Sequence, residues 1–229
     1  MSPATTTSDT TPAGRRGRRM LLALAAVLLV AGGWAVGQLT APTASFPAEG
    51  SPEAGFARDM QTHHLQAVQM STLVRDRTED PEIRQLADDI ARTQQQQAGQ
   101  MYGWLEQWDL PQASLAAPMQ WMSGTDSDTD MGSMDHGTDS TDSTVGPDSG
   151  AVMPGMATDQ DLQQLDQAVG VDAETLYLRL MVAHHQGGVT MAQGALDRVQ
   201  DQDVRRLAQA IVDSQTAELA VLEQMLAER

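Results

Sequence analysis

Residues 58–94 recur at 179–215 without a gap, at a constant offset of 121. Identical pairs include Arg58/Arg179, Met60/Met181, His63/His184, His64/His185, Val68/Val189, Met70/Met191, Asp76/Asp197, Asp80/Asp201, Arg84/Arg205, Leu86/Leu207, Ile90/Ile211 and Gln94/Gln215. Arg, Asp and Gln match as well as the apolar positions, which chance amphipathicity does not produce. The chain must therefore build two similar units that fit each other.

Each unit reads as two helices. Phe56, Met60, His63, Ala67, Met70 and Val74 recur in alternating steps of four and three, a stripe along one helix face. Asp80-Pro81-Glu82 starts the next helix: Asp accepts free amide hydrogens, Pro fits the first turn, and Glu favours the positive end. Its stripe is Ile83, Ala87, Ile90, Gln94, Gln97, Met101, Trp104 and Trp108, closed by Leu110-Pro111. The second unit repeats the plan, with Tyr177, Met181, His184, Gly188, Met191 and Ala195, then Asp201 capping Val204, Ala208, Ile211, Gln215, Glu218, Leu222 and Met225. Neither hairpin buries its stripe alone. The expected fold is all-α: a four-helix bundle of two hairpins joined by a long crossover.

The expected organisation around these hairpins is as follows. Residues 1–19 form a disordered basic cytoplasmic tail, and 20–39 a transmembrane anchor or signal segment. A run of 20 apolar residues at helical rise covers about 30 Å, enough to cross a bilayer, and the Arg15–Arg19 cluster keeps its side cytoplasmic. Cleavage near Ala35-Val36-Gly37 is the alternative. Both place the body outside the cytoplasm, membrane-attached in the first case, secreted or periplasmic in the second. Residues 40–51 form a tether and 52–110 the first hairpin. Residues 111–157 form an acidic disordered crossover, with Met131, Met134 and His136 as a weak metal-capture motif. Residues 158–229 hold a short helix, capped at Thr158, and the second hairpin. Tyr102, Trp104, Trp108 and Trp121 are expected to close the bundle end.

With no cysteine, disulfides, thiolate zinc sites and cysteine nucleophiles are excluded. All 14 cationic residues are Arg, four of them before Met20. From Thr40 onward 10 Arg face 30 Asp plus Glu, or -20. That field repels nucleic-acid phosphates and excludes a nucleic-acid partner.

A turn near residues 78–79 sets His63 beside Gln94 and Met60 beside Gln97; in the second hairpin it sets His184 beside Gln215 and Met181 beside Glu218. Polar groups gathered in a core need partners or a ligand. On this reading His63, His184, Met60, Met181 and Glu218 surround a common axis. Met70 and Met191 lie two turns along on the same face. His64 and His185, turned about 100° away, orient the site through hydrogen bonds or supply second ligands. Gln94, Gln97 and Gln215 are supporting residues. Di-iron bundles use Glu-x-x-His on two helices; here Met60-x-x-His63 and Met181-x-x-His184 replace the hard carboxylate by a thioether twice. Thioether with imidazole suits copper, above all Cu(I). A metal-free core in which the polar layer fixes bundle register is the competing reading.

The assembled residues resemble the DUF305 family. Its pattern is Met, two residues, His-His, then an apolar segment ending in Met-Ala, followed by a helix bearing Gln-x-x-Glu. Met181–Ala192 matches closely, Gln215 to Glu218 supplies the second part, and Met153-Pro154-Gly155-Met156 resembles the family's segment before the third helix. The resemblance spans about residues 53–229. It implies an extracytoplasmic, ferritin-like bundle and an association with copper through His63, His184 and the neighbouring methionines. The chain departs from the pattern at Gln97, where Glu is common, and at Ser71, where Ala is usual. Glu218 is then the one central carboxylate. The expected function is copper binding or buffering with no catalytic constellation; a metal-free interaction bundle and a ferritin-like metalloenzyme are the alternatives.

Overall fold

The computed structural model describes residues 13–40, 46–123 and 153–229, and all regular structure among them is helical. The chain divides into two compact units, residues 1–45 and 46–229. The Met131/Met134/His136 motif lies outside the described residues.

Among the described residues the first unit holds one helix, α1 (Ala13–Thr40). It starts ahead of the Arg cluster, because Arg is a good helix former and lets the helix continue back from the apolar run. Its stretch Arg18–Gly37 is long and apolar enough to cross a membrane, and its apolar side chains from Met20 to Val36 stand exposed.

The second unit contains α2 (Pro52–Arg75), α3 (Pro81–Gln107), α4 (Asp159–Gln167), α5 (Val171–Arg198) and α6 (Gln202–Ala227). The repeated polar residues explain the repeated shape. Asp80 accepts from the backbone N–H groups of Glu82 and Ile83, and Asp201 from those of Asp203 and Val204, so each caps the second helix of its hairpin. Arg84 and Arg205 donate to the turn carbonyls of Thr78 and Val199, at 2.8 and 3.0 Å. Thr158 and Asp161 form the capping box of α4.

The hairpins are braced across each other by a second repeated pair, Glu53 and Glu174. Glu53, at the start of α2, accepts from the backbone N–H of Gln200 at 2.7 Å, in the turn of the second hairpin. Glu174, at the start of α5, accepts from the Thr78 hydroxyl in the turn of the first hairpin at 2.5 Å. Ser71 pairs with Tyr177 at 3.0 Å between these ends. The contacts Glu53–Gln200, Ser71–Tyr177 and Thr78–Glu174 make α2 and α5 antiparallel neighbours.

The core has two apolar clusters. One joins Phe56, Met60, Met101, Leu105, Met191 and Ile211; the other joins Ala67, Met70, Ile90, Tyr177, Met181 and Leu222. In every long helix of this unit the polar stretch falls between residues of the two clusters: His63-His64 on α2, Gln94 to Gln97 on α3, His184-His185 on α5, Gln215 to Glu218 on α6. The bundle therefore carries a polar layer at mid-height.

The ends of the crossover are ordered against the bundle. Residues 111–123 lie along it with a short 3-10 turn at Gln120–Met122, and 153–157 pack beside α5. Met119, Trp121, Met153 and Met156 are the apolar residues that these stretches set against the core. Trp121 meets Phe56 edge-on at 5.7 Å, and Asp59 accepts from Met119 N–H and Trp121 Nε1–H. Trp104 and Trp108 stack on each other at 6.1 Å. Tyr102 is half exposed and does not close the end.

Candidate metal centre

All four repeated histidines are fully buried. His63 and His184 face each other across the α2–α5 contact, with ring centroids 3.7 Å apart and planes tilted by 33°. His184 Nε2 donates to the backbone carbonyl of His63 at 2.9 Å, and His63 Nε2 donates to the carbonyl of Pro154 at 3.1 Å. His64 and His185 turn away from this seam, each toward the other helix of its own hairpin. His64 Nε2 donates to Gln97 Oε1 at 2.7 Å, and His185 Nε2 to Glu218 Oε2 at 2.7 Å.

The sequence-based register differs from this by about one turn. His63 and His184 were expected beside Gln94 and Gln215; instead His64 and His185 meet Gln97 and Glu218, and Gln215 lies over Gly188. The cause is the lean of helical side chains toward their own N-terminus. In an antiparallel pair both leans add, so partners meet at higher numbers than the backbone level suggests. A second difference concerns the methionines. Met60 and Met181 were expected at one level, but Met60 groups with Met191 and Met70 with Met181. Because α2 and α5 are antiparallel, a residue three positions before each His falls on opposite sides of the His layer. Glu218 stands at the margin, its side chain 25% exposed, whereas Gln97 is buried.

Burial disfavours the charged imidazolium, and it is the main cause of three shifts. His63 is pushed down to about 4, with the Pro154 carbonyl opposing, and His64 to about 3. His184 is held well below the usual range by burial, then by the neighbouring histidines. These rings are neutral at pH 7 and need lose no proton to bind a metal.

Eight buried side-chain atoms in this layer lack a hydrogen-bond partner: Nδ1 of His63, His64, His184 and His185, and both amide atoms of Gln94 and Gln215. Native cores tolerate few such atoms, at roughly 1–3 kcal/mol each. Their concentration at one level sets this layer apart from the apolar clusters on either side. The donor set of imidazole nitrogens and nearby buried thioethers fits a soft ion. Among the described residues no three His, Asp or Glu side chains converge on one point. An ion here would complete its coordination from thioethers or Gln amide oxygens.

The fold is that of a known group. The sequence profile of the Domain of unknown function (DUF305) matches residues 53–226. The chain belongs to the DUF305 family. Among solved structures, a DUF305 protein from Streptomyces coelicolor, provisionally described as secreted, is 44% identical. It matches over 79% of this chain and 95% of its own, with a TM-score of 0.66. A DUF305 fragment from Deinococcus radiodurans is 28% identical over 80% and 100%, with a TM-score of 0.59. CopM in its Cu(I)-bound form is 22% identical over 77% and 96%, with a TM-score of 0.54, and shares the fold. No curated protein matches the chain. Within the DUF305 sequence of this chain the residues not foreseen are Glu53 and Glu174. Their equality at the repeat offset was the available signal. Pro154 and Gln66 carry no such mark.

Proposed function

We propose that this chain is an extracytoplasmic copper-binding protein that buffers or hands on Cu(I) through histidine and methionine side chains in the bundle core. The observation that carries the reading is the set of four fully buried imidazoles whose Nδ1 atoms have no partner. His63 and His184 are the central ligands, with Met60 and Met191 on one side and Met70 and Met181 on the other. Such thioethers favour Cu(I) over hard ions. His64 and His185 supply further nitrogen donors. Glu218, the carboxylate hydrogen-bonded to His185, offsets part of the charge of a buried cation. CopM, which shares the fold, is described in Cu(I)-, Cu(II)- and silver-bound forms. The apolar segment of α1 serves as membrane anchor or signal, with the acidic body outside the cytoplasm.

Metal analysis of the full chain purified from its own envelope tests this reading. Copper in excess of other transition metals supports it, and its loss in a His63→Ala/His184→Ala variant locates it. Zinc or iron in place of copper, or no metal at all, contradicts it. The last result would favour a metal-free bundle whose polar layer fixes register.

A further inference from the structure

A neutral imidazole carries one N–H, and its position is set by what each nitrogen faces. Carbonyl and carboxylate oxygens only accept. His63 Nε2 faces the Pro154 carbonyl, His184 Nε2 the His63 carbonyl, His64 Nε2 the Gln97 amide oxygen and His185 Nε2 the Glu218 carboxylate. With Gln97 presenting its amide oxygen, each Nε2 bears an N–H, and a ring in its neutral form keeps its lone pair on Nδ1. Those Nδ1 atoms are the ones buried without a partner.

We propose that the four core histidines are locked as Nε2–H tautomers, that Nδ1 is the metal donor atom of each, and that the docked segment Met153–Ala157 is the positioning element. The inference rests on the copper reading above and names the atoms that carry it. A ligand imidazole held by an oxygen on its far nitrogen is the usual way a protein fixes ring orientation and strengthens the donor. Here the chain of control runs through backbone: Pro154 holds His63, and the carbonyl of His63 holds His184.

The segment is placed by contacts that leave little freedom. Gln66 takes both backbone groups of Ala157, accepting its N–H at 2.7 Å and donating to its carbonyl at 2.9 Å. Gly155 has φ +74 and lies on α5, where a Cβ would come within 2.1 Å of the Ala183 carbonyl. From the other side, a Cβ on Gly187 would fall 2.0 Å from the Pro154 oxygen. The backbone of 153–157 thus rests directly on the backbone of α5, and the Pro154 oxygen has one place to be. The contacts of Gln66, Gly155 and Gly187 are with the segment and the backbone of α5, and they hold Pro154 on His63.

The test uses the full chain in detergent micelles, labelled with 15N-histidine, with His136→Gln removing the fifth signal. Long-range proton–nitrogen spectra of the metal-free protein are expected to show four Nε2–H tautomers. Adding Ag(I), a diamagnetic soft probe, is expected to split Nδ1 resonances by one-bond coupling to silver. Nδ1–H tautomers, or splitting at Nε2, would overturn the proposal while leaving copper binding intact. Intact tautomers with no silver or Cu(I) binding would overturn the copper reading and the donor role together. Gln66→Ala is expected to mix the His63 tautomers and weaken Ag(I) binding about tenfold or more, leaving the His64 and His185 signals in place. Gln66→Glu, which keeps the bond to Ala157 N–H, is expected to do less and serves if the Ala variant misfolds. An unchanged His63 tautomer and affinity in both variants would remove the positioning role.

Discussion

His184 donates from Nε2 to the backbone carbonyl of His63, 2.9 Å away, and His63 is the residue that holds the same place in the first repeat. The two halves of the chain therefore meet at their own equivalent points. That meeting follows from antiparallel packing of α2 on α5, and it brings every polar residue of the four stripes into one layer. A layer of under-bonded polar groups in the middle of an apolar bundle weakens the metal-free fold. Its consequences can be measured.

Gln94 and Gln215 are buried, with both amide atoms unpartnered. Replacing either by Leu removes two unsatisfied atoms at similar volume. Gln215→Leu and Gln94→Leu are each expected to stabilise the metal-free protein by about 1–3 kcal/mol, read from urea denaturation. A loss of similar size in chelator-treated protein would mean that these amides are satisfied.

Stability of the metal-free protein should fall with acid in a defined window. Burial lowers His63 to about 4 and His64 to about 3 in the fold, whereas the unfolded chain titrates near 6.5. Below 6.5 the unfolded state binds protons that the fold refuses, so stability is complete above that pH. It is lost as pH falls toward 4. For His63 alone the loss is about 3 kcal/mol over the window. Denaturation midpoints at pH 7.5, 6 and 5 should decline in that order. Equal midpoints would place charged histidines in the core.

How much of this was legible in the residues can be seen at particular positions. The caps at Asp80, Thr158 and Asp201 and the buried stripes follow from local rules, and the repeat alone dictates two hairpins. The pairing of His64 with Gln97 was not legible, because it depends on side-chain lean and on the turn geometry between α2 and α3. The separation of Met60 from Met181 needed the direction of α5 relative to α2, which the offset of 121 does not encode. The docking of Pro154 on His63 joins residues 91 apart through a backbone carbonyl, for which no side-chain pattern exists.

Asp59 holds residues 119–121 against the bundle through two hydrogen bonds, and burial raises its pKa against the pull of Met119, Trp121 and Arg58. Asp59→Ala leaves the Met119 N–H and the Trp121 Nε1–H without their acceptor. It should cost about 1–3 kcal/mol and free Trp121 from its contact with Phe56. Trp fluorescence should shift to the red before global unfolding. A spectrum and midpoint equal to the parent would show that this segment is held by packing alone.

The most direct measurement is competition for Cu(I) between the full chain and a chromophoric chelator, with the parent beside a His63→Ala/His184→Ala variant. The account predicts that the parent withdraws Cu(I) from micromolar chelator and that the double variant binds at least about tenfold more weakly while remaining helical. No withdrawal by the parent, or equal withdrawal by a folded variant, would contradict a copper site built on the His63–His184 pair.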